Sequence, residues 1–494
     1  MTASAIIIGI VILYVLATAF LGLYTKKFSK SSDKYMTGGK AFGPFIIGVL
    51  MMSEFIGTGS TIGTAQTAFS RGISASWNLI TLALAFALFA YTLAKKFHER
   101  GEYTISGAIS KTYGNGARTI TSVIMIYALS VVNVSMYAGG AATLSAIIHV
   151  PHAMAAIVVG VVTVVYVTLG GMFAVAYTNL IHAFFKYLGL ILAVSFGLTA
   201  AGGFSGLSLQ LKPAMFDWTG ISWQTIIAWT IANIGSIFST QYIIQAVCST
   251  NDEVNAKKAS IYAGVFVIPV GIMAALIGMT ASILFPNIVS SEAFPMLTTL
   301  MNPFLAGLVI SGLIAAVFGT VAASTIGAAA LLLNDFYTPL FNKEGSDNKS
   351  LRFSRVATIV MGLLPIPFAI FTPEILNTIF FARALRTTIA VIVVLMFYFP
   401  RFSSGIGAAL GMIFAVITTT VWFLAGNPFG IDNIYIAAVA PLIVMGIDHF
   451  WRKNKTVVHE ERSNEITATN TRCNRDKGER CNEGKNISYM ASSP

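Results

Sequence analysis

Charge is what this 494-residue chain most lacks. Asp, Glu, Lys and Arg make up 10% of it, against 55% hydrophobic residues, and mean hydropathy is +0.76. A soluble domain carries roughly 25% charged residues, so these values exclude one and indicate a protein that crosses the bilayer many times. Cysteine is scarce too. Cys248, Cys473 and Cys481 stand at unrelated places, which excludes a disulfide framework and a clustered zinc site. The His/Cys/Asp cluster or nucleophile motif of an enzyme is missing, and so are the repeated filter sequence and charge rings of a channel. A signalling domain, which a sensor would need, is not apparent. The first apolar run, Ala5 to Leu23, lacks a basic leader and a small-residue cleavage site, and is expected to remain as a helix.

What is present is a series of long apolar runs. Thirteen are long enough to span, near 5–24, 44–70, 73–94, 119–148, 153–173, 180–202, 223–247, 260–285, 304–334, 355–372, 375–399, 404–425 and 434–451. Pro373 and Glu374 alone mark the turn between the tenth and eleventh. The net charge of +11 follows the topology of these runs. Seventeen Lys and Arg fall in alternate loops on one side before the tail, beginning with Lys26, Lys27, Lys30, Lys34 and Lys40, whereas the other side holds only Arg71 and Lys212. The positive-inside rule then places the N-terminus outside and the C-terminus in the cytoplasm of a multi-pass plasma-membrane protein. Its partners are the lipid bilayer and a small-molecule substrate, with neither a nucleic acid nor an obligate protein partner in evidence. From residue 452 to 494 the chain is polar and mixed in charge, as expected of a disordered cytoplasmic tail, and the Asn486-Ile-Ser sequon there lies on the wrong side for glycosylation.

The stretch 51–66, MMSEFIGTGSTIGTAQ, breaks the apolar pattern within the second run. Ser53, Glu54, Gly57, Thr58, Gly59, Ser60 and Thr61 suit a helix interrupted at mid-membrane, where unwound carbonyls and hydroxyls hold an ion. The seventh run repeats the pattern in Asn233-Ile-Gly-Ser-Ile-Phe-Ser-Thr-Gln241, five helices later. Two interrupted helices at matching positions of five-helix halves indicate an inverted repeat with a central site. Gly and Ser that merely allow close helix packing are the alternative. The ninth run contributes Ser311, Gly319, Thr320, Ser324 and Thr325 and closes on Asn334-Asp335-Phe-Tyr337. Thr320 beside Ala316 places one hydroxyl and one carbonyl on one helix face, and sodium prefers such hard, uncharged oxygens.

With these features the chain resembles the sodium/solute symporter family over roughly residues 5 to 450. The resemblance rests on the polar, broken second run, the segment Thr168-Leu-Gly-Gly171…Ala174-Val-Ala-Tyr-Thr178, the ninth run closing on Asp335-Phe-Tyr337, and the thirteen-helix, N-out count. It implies an all-α membrane protein with a LeuT-like 5+5 inverted-repeat core. An extra N-terminal helix and basic loop would occupy 1–43, the first repeat 44–202, the second 203–400, two C-terminal helices 401–451 and the tail 452–494. It also implies Na+ as the coupling ion, with no organic cofactor, bound between the second and ninth runs. The carbonyls of Ser53, Ile56 and Ala316 and the hydroxyl of Thr320 would be its ligands. Gly319 stands where relatives often place a second hydroxyl, so water or Glu54 would supply the missing ligand. Phe55 replaces an Asp that some relatives carry.

Glu54 is a carboxylate in the middle of a span, where it is costly unless used or paired. It can sit near the ion or substrate, relay a proton or pair with a cation; a structural hydrogen bond to unwound backbone is the alternative. Arg383 and Arg386 in the eleventh run share one helix face and are candidates for an outer gate latched to Glu54, or for a bidentate carboxylate site. Snorkelling to the interface is the alternative for both. Gln66, Ser236, Thr240 and Gln241, with Asn133 and Tyr137 of the fourth run, are candidate substrate contacts, against ordinary helix–helix hydrogen bonds. Lys186 and His182 are expected at the inner interface. The expected function is sodium-driven import, by alternating access, of a small polar solute bearing a carboxylate, such as an amino acid, pantothenate or a short organic acid. The alternative is a proton-coupled carrier on the same fold with Glu54 as the titrating group.

Overall fold

The computed structural model describes residues 3–25, 42–148, 150–168, 171–372 and 375–453, all of their regular structure helical. The basic loop from Lys26 to Lys40, Leu169 and Gly170, Pro373 and Glu374, and the tail from residue 454 lie outside the described residues. The main helices are α1 (Ala3–Thr25), α2 (Pro44–Phe55), α3 (Thr58–Arg71), α4 (Trp77–Thr92), α5 (Ile105–Ile148), α6 (His152–Thr168), α7 (Gly171–Ala200), α8 (Trp223–Ser239), α9 (Gln241–Cys248), α10 (Glu253–Leu284), α11 (Pro303–Leu331), α12 (Asp347–Leu363), α13 (Ile375–Tyr398), α14 (Gly405–Leu424) and α15 (Asn433–Lys453). Residues up to Met445 form one compact unit, and a second begins at Gly446.

Ten helical stretches among the described residues are long and apolar enough to cross a membrane. The thirteen runs seen in the sequence differ from these at three places. The run 44–70 is cut in two, with α3 counted together with α4; the run 223–247 is also cut; and the helix in 153–173 is short. The run at 119–148 starts earlier than expected, since α5 extends back to Ile105 through a kink at Gly114, whose φ of +80° suits only glycine.

Both expected breaks are present. Helix α2 begins with Pro44 at its first turn and ends at Ile56, where ψ turns to 69°. Gly57 is extended, and α3 restarts at Thr58. The residues that interrupt the helix also satisfy the groups it frees. The Ser60 hydroxyl donates to the Phe55 carbonyl, and Gly57 O accepts from the N–H of Ser60 and from both the N–H and hydroxyl of Thr61, at 3.1 Å each. Gly57 has no room for a side chain, since a Cβ would lie 2.3 Å from Met136 Sδ and 2.7 Å from the Thr320 hydroxyl. The second break is a single extended residue, Thr240 (ψ 125°), between α8 and α9. There the Ser239 hydroxyl donates to both Gly235 O and Arg386 O at 2.8 Å, tying the break to α13.

Burial separates the core from the lipid-facing shell. From Ala315 to Leu331 every residue of α11 is buried, and α11 packs on α7, α5 and α1. Helix α13 is largely buried against α8 and α5. Helix α1 is the opposite case, with Leu13, Leu16 and Phe20 at least 60% exposed, as suits a surface helix whose outer face meets hydrocarbon.

Candidate functional site

Two buried clusters meet at the α2/α3 break. The first is built around Ser53, in the last turn of α2. Because the chain leaves helical geometry at Ile56 and Gly57, the Ser53 carbonyl is free to accept from outside the helix. It takes one bond from the Thr320 hydroxyl of α11 at 3.2 Å and one from the ammonium of Lys186 on α7 at 3.1 Å. The same ammonium donates to Ser53 Oγ at 2.8 Å, and that hydroxyl in turn donates to Asn179 Oδ1 at 2.5 Å. Gly319 completes the wall. A Cβ there would lie 2.6 Å from Ser53 Oγ, 2.7 Å from Asn179 Oδ1 and 2.8 Å from Lys186 Nζ. Ile56 ends α2 with its N–H on Met52 O at 3.0 Å, and Ala316 lies one turn before Thr320 on α11. Ser53 and Thr320, one expected ion ligand from each of α2 and α11, thus meet at one junction, and a lysine reaches into it.

This corrects the interfacial reading of Lys186 and His182. Both are buried, at 2% and 0% exposure. The apolar run begins near 180, whereas α7 begins at Gly171, so both residues lie well inside the helix. The Tyr14 hydroxyl from α1 is hydrogen-bonded to His182 Nδ1, and Phe318 packs edge-on against the His182 ring.

The second cluster joins both breaks to α13. Arg386 Nη1 donates to Ser236 Oγ at 3.1 Å and Thr240 Oγ1 at 2.9 Å, and Nη2 lies 3.5 Å from Glu54 Oε1. Among the described residues neither Glu54 oxygen, nor Arg386 Nε or Nη2, has a hydrogen-bond partner. All these side chains are buried, so the pair has spare acceptors on one side and spare donors on the other. Arg383, one turn earlier, donates to Asn78 Oδ1 at 2.8 Å and lies 4.7 Å from the Phe380 ring, which stacks on Trp229. Asn78 donates to Thr64 at 3.0 Å, and Asn233 donates to Asn78 O and to Thr81, so α3, α4, α8 and α13 share one network. A small cavity between Glu54, Ser60, Met136, Ile379, Arg383 and Arg386 lies beside these groups.

The remaining candidates lie apart from that cavity. Asn133 donates to Thr325 at 3.2 Å and accepts from Ser324, joining α5 to α11. The Tyr137 hydroxyl donates to Gly362 O at 2.9 Å. Gln241 caps the start of α5, accepting from Ile105 N and donating to Tyr103 O, both at 2.9 Å. Gln66 is half-buried on α3, and its amide oxygen has no hydrogen-bond partner among the described residues.

Sequence reasoning missed Lys186, Asn179 and Asn78. The signal for Lys186 was present: Leu180-Ile-His-Ala-Phe-Phe-Lys186-Tyr is an apolar segment with two ionisable groups one turn apart, and such groups in a span call for a function. A further ion pair was missed as well. Asp335, in the π-helical turn after α11, accepts from Arg118 Nε at 2.7 Å and from the hydroxyls of Ser106 and Ser122, while Arg118 Nη2 donates to Asn334 O at 3.0 Å.

An all-helical bundle with two discontinuous helices meeting at buried ionic groups is the architecture of an inverted-repeat secondary transporter. Its relatives say which kind. The model of the Sodium:solute symporter family matches residues 35–415, and the chain belongs to that family. It is 26% identical to the sodium/glucose cotransporter of Vibrio parahaemolyticus, over 72% of this chain and 73% of that one. To the sodium/proline symporter of Escherichia coli (strain K12) it is 22% identical, over 83% and 86%. Among solved structures, a substrate-bound, outward-open Na+-coupled sialic acid symporter superposes with a TM-score of 0.77 at 17% identity, covering 90% of this chain and 97% of that one. The inward-facing conformation of Mhp1 gives 0.54 at 14%, covering 85% and 93%. The protein is therefore a LeuT-like membrane transporter of a sodium-coupled family, not an enzyme.

Proposed function

We propose that this protein imports a small polar solute bearing a carboxylate, by alternating access, with the N-terminus outside and the C-terminus in the cytoplasm. The observation that carries the substrate class is Arg386, which reaches from α13 to both broken helices and, among the described residues, keeps Nε and Nη2 without hydrogen-bond partners beside a cavity. A guanidinium edge in that state suits a carboxylate, which it binds through two parallel bonds. Glu54, 3.5 Å away, balances its charge and has oxygens available for a cationic group on the solute, which favours an amino acid among the carboxylates. Ser236 and Thr240 hold the other edge of the guanidinium, so a solute bound to Arg386 is felt at the second break. The α2/α3 and α8/α9 breaks allow each half-helix to tilt without unravelling, because local hydroxyls satisfy the freed carbonyls.

Sodium is the coupling ion that family membership supports, and the gradient is inward. A second reading, coupling to a proton on the same fold, is favoured by one observation: an ammonium, rather than open oxygens, stands at the α2/α11 junction. The test is uptake of labelled amino acids, pantothenate, short organic acids and neutral sugars into proteoliposomes, with an inward sodium gradient or with choline in its place. Saturable uptake of carboxylates alone is the expected result. Equal uptake of neutral sugars and carboxylates would overturn the substrate assignment.

A further inference from the structure

At the α2/α11 junction, two features that look unrelated in the sequence are one feature in space: a lysine at 186 and a glycine at 319. We propose that the Lys186 ammonium holds the place between α2 and α11 that a sodium ion would take, so that this junction is served by a tethered cation and does not bind sodium. The inference rests on reading the chain as an ion-coupled carrier and specifies which cation serves this site.

Three observations support it. First, the ammonium uses one of the expected ligands itself. Its bonds of 3.1 Å to Ser53 O and 2.8 Å to Ser53 Oγ are of ordinary hydrogen-bond length, and Ser53 O also receives the Thr320 hydroxyl, so that carbonyl is engaged by two donors. Second, the glycine makes the room. Any side chain at 319 would place its Cβ 2.8 Å from Lys186 Nζ and 2.6 Å from Ser53 Oγ, so a side chain there would displace the ammonium or the Ser53 hydroxyl from the positions they hold. Third, the one carboxylate near Lys186 among the described residues, Glu54, already balances the charge of Arg386. The titratable groups around Lys186 are His182 on its own helix, Tyr14 from α1, which is bonded to that histidine, and Glu54 on α2, which is directed at Arg386. Asn179 and Thr320 are neutral. Two unit charges sharing buried neutral oxygens repel strongly where little water screens them. Lys186 thus ties α7 to the same Ser53 carbonyl of α2 on which Thr320 of α11 closes.

The experiment is equilibrium binding of 22Na+ to the purified full-length protein in detergent, with choline as the replacement cation. It requires no knowledge of the solute, so it can fail while carboxylate uptake stands, or succeed while uptake fails. The wild type is expected to show no saturable sodium binding that Thr320→Ala removes. Lys186→Ala combined with Gly319→Ser, which exchanges the ammonium for space and a hydroxyl, is expected to bind sodium about tenfold more tightly than the wild type or better. Should that variant not purify as a monodisperse protein, Lys186→Gln, whose amide oxygen can act as a ligand, takes its place with the same expectation. Saturable sodium binding by the wild type that Thr320→Ala abolishes would overturn the proposal. So would a well-folded Lys186 variant that binds no more sodium than the wild type.

Discussion

At the scale of the residue, the pair Glu54–Arg386 dominates. Removing one member of a buried ion pair leaves the other charge uncompensated and costs about 3–5 kcal/mol, more than most single interactions in a protein contribute. Arg386→Ala is therefore expected to lower the thermal unfolding temperature sharply, while Arg386→Ala with Glu54→Gln recovers most of the loss; fluorescence-monitored unfolding in detergent checks both. Arg386→Lys keeps the charge but not the two-edged geometry that reaches Ser236 and Thr240 and leaves donors for a solute. It is expected to fold and to lose at least about tenfold in carboxylate uptake, a deficit of about 1.4 kcal/mol. Tyr137 is a contrasting case. Its hydroxyl meets a backbone carbonyl of α12, so Tyr137→Phe is expected to cost about 1 kcal/mol of stability and leave the KM for solute unchanged. A large rise in KM would return Tyr137 to the binding site.

At the scale of the element, the α2/α3 break is a packing feature as much as a conformational one. Gly57 lies where side chains of α5 and α11 press on the break, with Met136 Sδ and the Thr320 hydroxyl inside the distance a Cβ needs. Gly57→Ala is expected to reduce uptake severely, because the added methyl separates α2 from α11. Met136 is flexible and can be shortened, so Gly57→Ala with Met136→Ala is expected to regain part of that uptake, whereas no recovery would show that backbone freedom, not space, is what Gly57 supplies. Composition revealed both breaks, since small and hydroxylated residues in an apolar run have few other uses. The register of α7 stayed hidden, because the starting point of a helix within a continuous apolar stretch depends on what it packs against. That nine-residue difference moved Lys186 from an interface to the centre of the junction.

At the scale of the whole molecule, alternating access requires contacts that form on one side of the site and part on the other. The Arg118–Asp335 pair, with Ser106 and Ser122 on the second carboxylate oxygen, joins α5 to the turn after α11 and is a candidate for such a contact. Cys248 reports on the same region, since it ends α9, is buried, and approaches the carbonyls of Phe97 and Glu102 just before α5. In a chain with Cys473 and Cys481 replaced by serine, Arg118→Ala is expected to speed maleimide labelling of Cys248 by about tenfold, as the open population grows by about 1.4 kcal/mol. Labelling at the unaltered rate would remove this pair from the gating mechanism.

The amino-acid sequence by itself determined that this is an all-helical membrane protein with two interrupted helices, because hydropathy, run length and mid-span polar residues act locally along the chain. It also put Glu54 at mid-span, where a charge demands a partner, and left the two arginines between a gate, a carboxylate site and the interface. Tertiary structure alone decided the pairing. It assigned Glu54 to Arg386, gave Arg383 to Asn78, turned Asn133, Tyr137 and Gln241 to helix–helix and capping bonds, and brought Lys186 to Ser53 beside Gly319. The physical reason is distance along the chain: Ser53 and Lys186 are 133 residues apart, and Ser53 and Thr320 are 267 apart. No local periodicity encodes contacts of that separation; they exist only once the helices have packed.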